Sequence, residues 1–361
     1  MTTQIEKTKD LYIDYAISSF GAVTATGLSS ILEGEISHDK VTRMLSQVNL
    51  SSKDLWLNVK DLVREKESEE EGVFIVDDSV EKKPFTDESP LVCYHYDHAE
   101  GRTIKGINFL TGLYHSQDVS LPVNVHIVTK PVLRKNKKTG KLKPKALFTK
   151  NYYFRGLVEQ AVKNEIKFRY VLADSWFASA ENMKFIQHKL NKLFVMPLKS
   201  NRKVALSPAD KKQGKYVRVD SIAMEEKQVR TIWLESLDFP LAFAKQVFKN
   251  EDGSIGTLYL VSNNNDLSYE PITTLYKKRW NVECYHKSLK QNASLEKSPT
   301  KTPQTQINHF FLALFAYIRL ERLKISSKIN HFALKTKLYV KAIQHAFSEL
   351  QDIRNLFYCV T

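Results

Sequence analysis

Val73-Phe-Ile-Val-Asp-Asp-Ser79 and Arg169-Tyr-Val-Leu-Ala-Asp-Ser-Trp-Phe177 are the two stretches whose reading decides the fold. Each is a short apolar run, rich in β-branched residues, of the kind that forms a buried central strand. Each run delivers an aspartate at its C-terminal end, Asp77 in the first and Asp174 in the second. Residues 104–116 and 119–129 read as two further strands. An amphipathic helix is expected over 151–167 and another from about 180 to 190. Apolar strands alternating with helices predict a layered α/β sheet, and such sheets place their sites just beyond the strand ends.

The chain on either side has a different texture. Residues 1–70 read as helical, with one helix over 26–35 ending near Gly34 and a second over 38–47 that Ser37 can cap. The two resemble a helix-turn-helix, with Lys40 and Arg43 on the second; the pair either reads DNA or only packs. A charged run over 64–72 closes this region. The Lys-rich stretch 130–145, with Gly140 and Pro144 as turn formers, is a solvated loop or a phosphate-contacting arm. Residues 193–262 read as consecutive short strands, with a turn at 250–254 and a basic stretch that includes Lys199, Arg202 and Lys203. From 276 onward the chain reads as helical, with a break near Pro303. The expected organisation is a helical region 1–70 with a possible DNA-binding role, a first core segment 71–192, a β-rich insertion 193–265, a second core segment 266–325 and C-terminal helices 326–361.

Bulk properties narrow the partner. Lys plus Arg number 54 and Asp plus Glu 40, a formal charge of +14 over 361 residues, which favours a polyanion such as nucleic acid. Hydrophobic residues make up 42%, enough for packed cores. Cys93, Cys284 and Cys359 form no CxxC pair and no metal-ligand spacing, which suits a reducing cytosol. No signal peptide is apparent, and the most apolar stretch, 309–319, is too short to span a bilayer. A cytoplasmic protein without a membrane partner is expected.

A third run completes a constellation. Tyr276, Arg279, Glu283 and Lys290 follow one another at steps of three, four and seven, which return to one face of an α-helix. Alone, that face could be an ordinary solvated one. Yet it offers a third carboxylate, Glu283, beside Asp77 and Asp174. Three converging acids need a compensating charge, because like charges raise one another's pKa. Mg²⁺ takes oxygen ligands of this kind, and two such ions suit phosphodiester chemistry. Four residue types each about 5% abundant match such a spacing by chance on the order of 10⁻⁵ per start position.

Tyr276, Arg279, Glu283 and Lys290 resemble the Tyr-x2-Arg-x3-Glu-x6-Lys signature of the insertion-sequence-four superfamily of bacterial DDE transposases. The stretch 73–79 is similar to that superfamily's first Asp strand and 169–179 to its second, so the resemblance covers roughly 70–325. It implies an RNase H-like catalytic core with a β-rich insertion between the second Asp and the Glu. It implies a metal-binding catalytic triad of Asp77, Asp174 and Glu283, with Asp78 open as the alternative first ligand. Two Mg²⁺ or Mn²⁺ ions would serve it. Tyr276, Arg279 and Lys290 would hold the element's end, and Lys287, one turn from Glu283, could join them. Trp233 is a candidate base-stacking residue or a core residue; Tyr285 and His286 read as packing or minor DNA contacts. The implied activity is cleavage at element ends and joining of 3′-hydroxyl ends to target DNA, as a homodimer in the DNA complex. A catalytically inactive end-binding descendant and a structure-selective nuclease are the alternatives.

Overall fold

The computed structural model describes residues 2–97, 101–135, 140, 142–225, 227–249 and 252–358. Helices come first: α1 (Thr2–Ser18), α2 (Ala25–Ile31), α3 (His38–Gln47) and α4 (Ser52–Lys66). Strands β1 (Val73–Lys82), β2 (Cys93–Asp97), β3 (Arg102–Ser116) and β4 (Val119–Val128) follow, then β5 (Val132–Lys135) and β6 (Leu142–Lys145). Helix α5 (Lys150–Lys163), β7 (Tyr170–Ala173), α6 (Ala180–Lys184) with a π-helical turn (Phe185–Lys189), and β8 (Leu193–Leu198) come next. Short β9 (Lys203–Val204), α7 (Pro208–Lys212) and β10 (Val217–Arg218) precede β11 (Val229–Ile232), β12 (Leu241–Lys249) and β13 (Ile255–Ser262). The rest is helical: α8 (Tyr269–Lys277), a 3₁₀ turn (Lys278–Trp280), α9 (Asn281–Gln291), a second 3₁₀ turn (Leu295–Lys297), α10 (Pro303–Ser327) and α11 (His331–Tyr358). The chain divides into two compact units, one of Trp56–Cys284 and one of Met1–Leu55 with Tyr285–Thr361.

The Trp56–Cys284 unit is built on a nine-stranded mixed sheet in the order β11-β12-β13-β8-β7-β1-β3-β2, with β4 also paired to β3. Only β1–β7 and β7–β8 pair in parallel. These central strands are apolar on both faces because both are covered, so β7 is buried throughout and β1 is buried over Val73–Val76. Helix α5, capped by the Thr149 hydroxyl, lays Phe154, Leu157, Val158 and Ala161 into the core. At the bulge between Gly112 and Leu113 of β3, a bare glycine lets the Asn124 side chain and the Phe74 ring pack against the backbone. Strands from residues 193–262 extend this same sheet: β13 pairs with β8 and β12 with β13.

Several local expectations change. The Lys-rich stretch is not a plain loop, since β5 and β6 pair antiparallel and stay largely exposed, while residues 136–139 and 141 lie outside the described residues. Of the expected 250–254 turn, residues 250 and 251 lie outside them too. The 276–290 run is not one continuous α-helix. The Asn281 side chain donates to the Lys278 carbonyl at 2.8 Å and lies 3.3 Å from His115 Nε2, so the ladder tightens to 3₁₀ over Lys278–Trp280.

In the other unit, α1, α3 and α10 pack together. Phe310–Ile318 of α10 are buried, as expected of an apolar helix too short to cross a membrane, and no described helix is long and apolar enough to do so. Buried polar groups are paired: Tyr12 Oη meets His309 Nδ1 at 2.9 Å, and Asn308 accepts from Leu50 N–H and donates to the Leu45 and Val48 carbonyls. Pro303 occupies the first turn of α10 behind a Thr302 cap, so the expected break at Pro303 is a helix start. Ser37 sits at the N-cap of α3 in extended conformation but makes no capping hydrogen bond. Thr24 caps α2, which ends at Ile31, ahead of Gly34.

Candidate metal centre

Strand register assembles the first half of the site. Val76 of β1 lies opposite Ala173 of β7 in the parallel pair, so the next residues, Asp77 and Asp174, emerge side by side. Neighbouring strands are about 4.8 Å apart, which sets the scale of their separation. Helix α9 brings the third acid: a carboxylate oxygen of Glu283 lies within 4.8 Å of one of Asp77. Asp77, Asp174, Glu283, Tyr276 and Arg279 all belong to the Trp56–Cys284 unit, where three carboxylates separated by 97 and 109 residues converge.

The electrostatics are those of a crowded anionic site. Burial pushes the Asp77 carboxyl well above its ordinary value, and Glu283, Asp174 and Asp78 push it further, opposed by Arg279. Burial also raises Asp174, against the Phe177 and Trp176 amides, which donate to its Oδ1 at 3.3 and 2.9 Å. Asp174 is therefore a turn residue and a site carboxylate at once. Its Oδ2 accepts no hydrogen bond from the described residues.

Arg279 is the local counter-charge. Its Nη1 stands 3.2 Å from Glu283 Oε1 and 3.9 Å from Asp77 Oδ2, and the guanidinium lies 5.7 Å from the Tyr276 ring centroid. Burial pushes the Tyr276 hydroxyl up to about 12, so it keeps its proton. The ring is 9% exposed and faces Arg279. Tyr276, Arg279 and Trp280 line a cavity of about 630 Å³ with Phe248 and Leu258. Trp233 does not line it; its backbone bridges to Ala205 instead.

Asp78 faces away from this group. Successive strand residues point to opposite sides of a sheet, and Asp78 Oδ2 receives Lys150 Nζ at 2.6 Å and Asn108 Nδ2 at 2.9 Å. Sequence reading had no means of finding Lys150 or Asn108, because no spacing connects them to Asp78.

Lys287 and Lys290 belong to the other unit. There they line a cavity of about 470 Å³ with Gln291, Glu296 and Lys297. Lys290 pairs with Glu296 at 3.4 Å, and Lys287 lies 5.4 Å from the Phe332 ring centroid. Tyr285 and His286 are buried, and the Tyr285 ring packs edge-on against Tyr317 at 4.9 Å.

Comparison with known proteins bears on this arrangement. Residues 3–225 match a family model described as DDE superfamily endonuclease, and residues 149–319 match one described as Transposase DDE domain. No curated protein matches the chain. Among solved structures, the "Drosophila P element transposase strand transfer complex" is similar with a TM-score of 0.25 and 9% identity, over 52% of this chain and 36% of that one. The similarity thus spans about a third of that protein's length.

Proposed function

The chain belongs to the DDE superfamily of endonucleases, and from that premise we propose that it is a metal-dependent DNA transposase of the insertion-sequence-four type. It cuts phosphodiester bonds at the ends of its own element and joins the 3′-hydroxyl ends to target DNA. The observation that carries this reading is the parallel register that sets Asp77 beside Asp174, with Glu283 within 4.8 Å of Asp77. The core is read as RNase H-like, with the strands of 193–265 as its insertion.

The donor set fits a divalent cation. All three groups are hard oxygen donors, and Asp77 is held above its ordinary pKa by burial and by its acidic neighbours, a cost that a cation relieves. Asp77, Asp174 and Glu283 would hold two Mg²⁺ or Mn²⁺ ions. Such ions supply Lewis-acid stabilisation of charge on the attacking and leaving oxygens of phosphodiester transfer. Asp77 is the first ligand in this reading, because Lys150 and Asn108 engage Asp78.

The remaining residues position DNA. Arg279 orients the Asp77 and Glu283 carboxylates and presents a guanidinium to phosphate. Protonated Tyr276 offers a hydrogen-bond donor to phosphate. The cavity bounded by Phe248, Tyr276 and Trp280 has the aromatic walls that stack on an unpaired base. Lys287 and Lys290 act as phosphate contacts, and two copies bind the paired ends.

The test is cleavage of DNA carrying the element's ends, with Mg²⁺ or Mn²⁺, by wild type and by Asp174→Ala and Glu283→Ala. Both variants should lose at least about 100-fold in cleavage while still binding DNA in a salt-sensitive manner. Full activity in both would sink the assignment. Cleavage without any joined product would instead indicate a structure-selective nuclease, and end binding without metal-dependent cleavage by wild type would indicate an inactive descendant.

A further inference from the structure

Helix α11 leaves its packed unit early. Lys335 donates to the Ile17 and Ser19 carbonyls and Tyr339 meets Phe20 edge-on at 5.2 Å, but every residue from Tyr339 to Leu356 is exposed. That stretch is not polar. Tyr339, Ile343, Ala346, Leu350 and Ile353 recur at steps of four, three, four and three, the spacing of a coiled-coil seam. Ile343, Leu350 and Ile353 are 49, 62 and 44% exposed, and Phe347 beside them is 61% exposed. An apolar seam of this kind in water calls for a partner helix.

We propose that the partner is α11 of a second copy of this chain, running antiparallel, and that the pair forms without DNA. Charge selects both the partner and the direction. The first half of α11 carries Lys335, Lys337 and Lys341 and no acid, whereas the second carries Glu349 and Asp352 against Arg354. An antiparallel copy lays each basic half on an acidic half, twice over by symmetry; a parallel copy lays like on like. The seam is self-complementary, as a two-fold interface requires. An overlap of 18 residues is about 27 Å long. It makes a small interface of the weak class, so the dimer dissociates on dilution.

This pairing concerns assembly alone and stands apart from the cleavage reading. The test is the solution mass of the full chain, without DNA, by light scattering between about 1 and 100 µM, a range set by the weak class of interface. The mass should rise from 41.6 kDa toward twice that value with concentration. Ile343→Glu with Leu350→Glu should hold it at the monomer value with unchanged circular dichroism, since both sites are exposed. Lys337→Glu with Lys341→Glu should weaken pairing at least about 10-fold, and adding Glu349→Lys with Asp352→Lys in the same chain should restore it. A wild-type mass that stays at 41.6 kDa overturns the proposal. Seam variants that still dimerise, or charge reversal that fails to restore pairing, also overturn it.

Discussion

Asp77→Asn replaces a crowded carboxylate by an amide of the same shape. At an effective dielectric of about 20, Glu283 at 4.8 Å repels the Asp77 charge by about 3.5 kcal/mol, and Arg279 at 3.9 Å attracts it by about 4.3 kcal/mol. Those two nearly cancel. What remains is burial of a side chain only 13% exposed, with Asp174 and Asp78 adding repulsion. Neutralising the group should therefore stabilise the metal-free protein, by about 2 kcal/mol. For a unit of this size that is roughly 4–8 °C in melting temperature. The gain should depend on pH. A carboxyl whose folded pKa is raised contributes stability that is present below its ordinary value of 3.8 and is lost as pH rises through the folded value. The advantage of the variant should thus be widest near pH 8 and shrink toward pH 4. Thermal unfolding in a chelating buffer across that range measures it, and Mg²⁺ should then stabilise wild type more than the variant. A variant no more stable than wild type at pH 8, or a gap that does not change with pH, would refute the account of the site as a set of uncompensated charges.

Three other outcomes are expected. Gly112→Ala should cost about 1–3 kcal/mol in denaturant unfolding, because an added Cβ meets the Asn124 side chain and the Phe74 ring at the bulge of β3. Lys150→Met should cost about 1 kcal/mol or less in the same assay, since the pair it forms with Asp78 is only partly buried. His331, lowered to about 4 by burial and then by Lys324, stays neutral in the folded state while the unfolded chain takes a proton below 6.5. Stability should fall by about 3 kcal/mol between pH 6.5 and 4 on its account, and His331→Gln should remove that part of the slope in unfolding titrations.

The central strands were legible because β1 and β7 carry their own evidence: an apolar run, β-branched residues and an abrupt aspartate. Helix α3 was legible to the residue, because its apolar positions, Val41, Met44 and Leu45, fall on one face. What stayed hidden depends on partners distant in sequence. β2 has no strand signature of its own and exists by pairing with the first residues of β3. The 3₁₀ turn at Lys278–Trp280 follows from one Asn281 side chain that also reaches His115. Alternation along β1 places Asp77 and Asp78 on opposite faces, but which face meets Glu283 is decided by where α9 lies. The local spacing around Arg279 and Glu283 was readable and survives the turn as a 3.2 Å contact. Arg279's reach to Asp77 was not, since it crosses 202 residues of sequence.

The parallel pairing of β1 with β7 also bears on folding kinetics. Their partnership closes a loop that contains β2 to β6 and α5, and the contribution of α9 closes a second, longer than 100 residues. Contacts of such separation form late, after the loop-closure entropy has been met by the intervening elements. Any ligand that needs Asp77, Asp174 and Glu283 together meets no binding site in the unfolded chain or early on the folding route. Such a ligand would slow unfolding and leave the folding rate almost unchanged, so its protection would be felt as persistence of the native state.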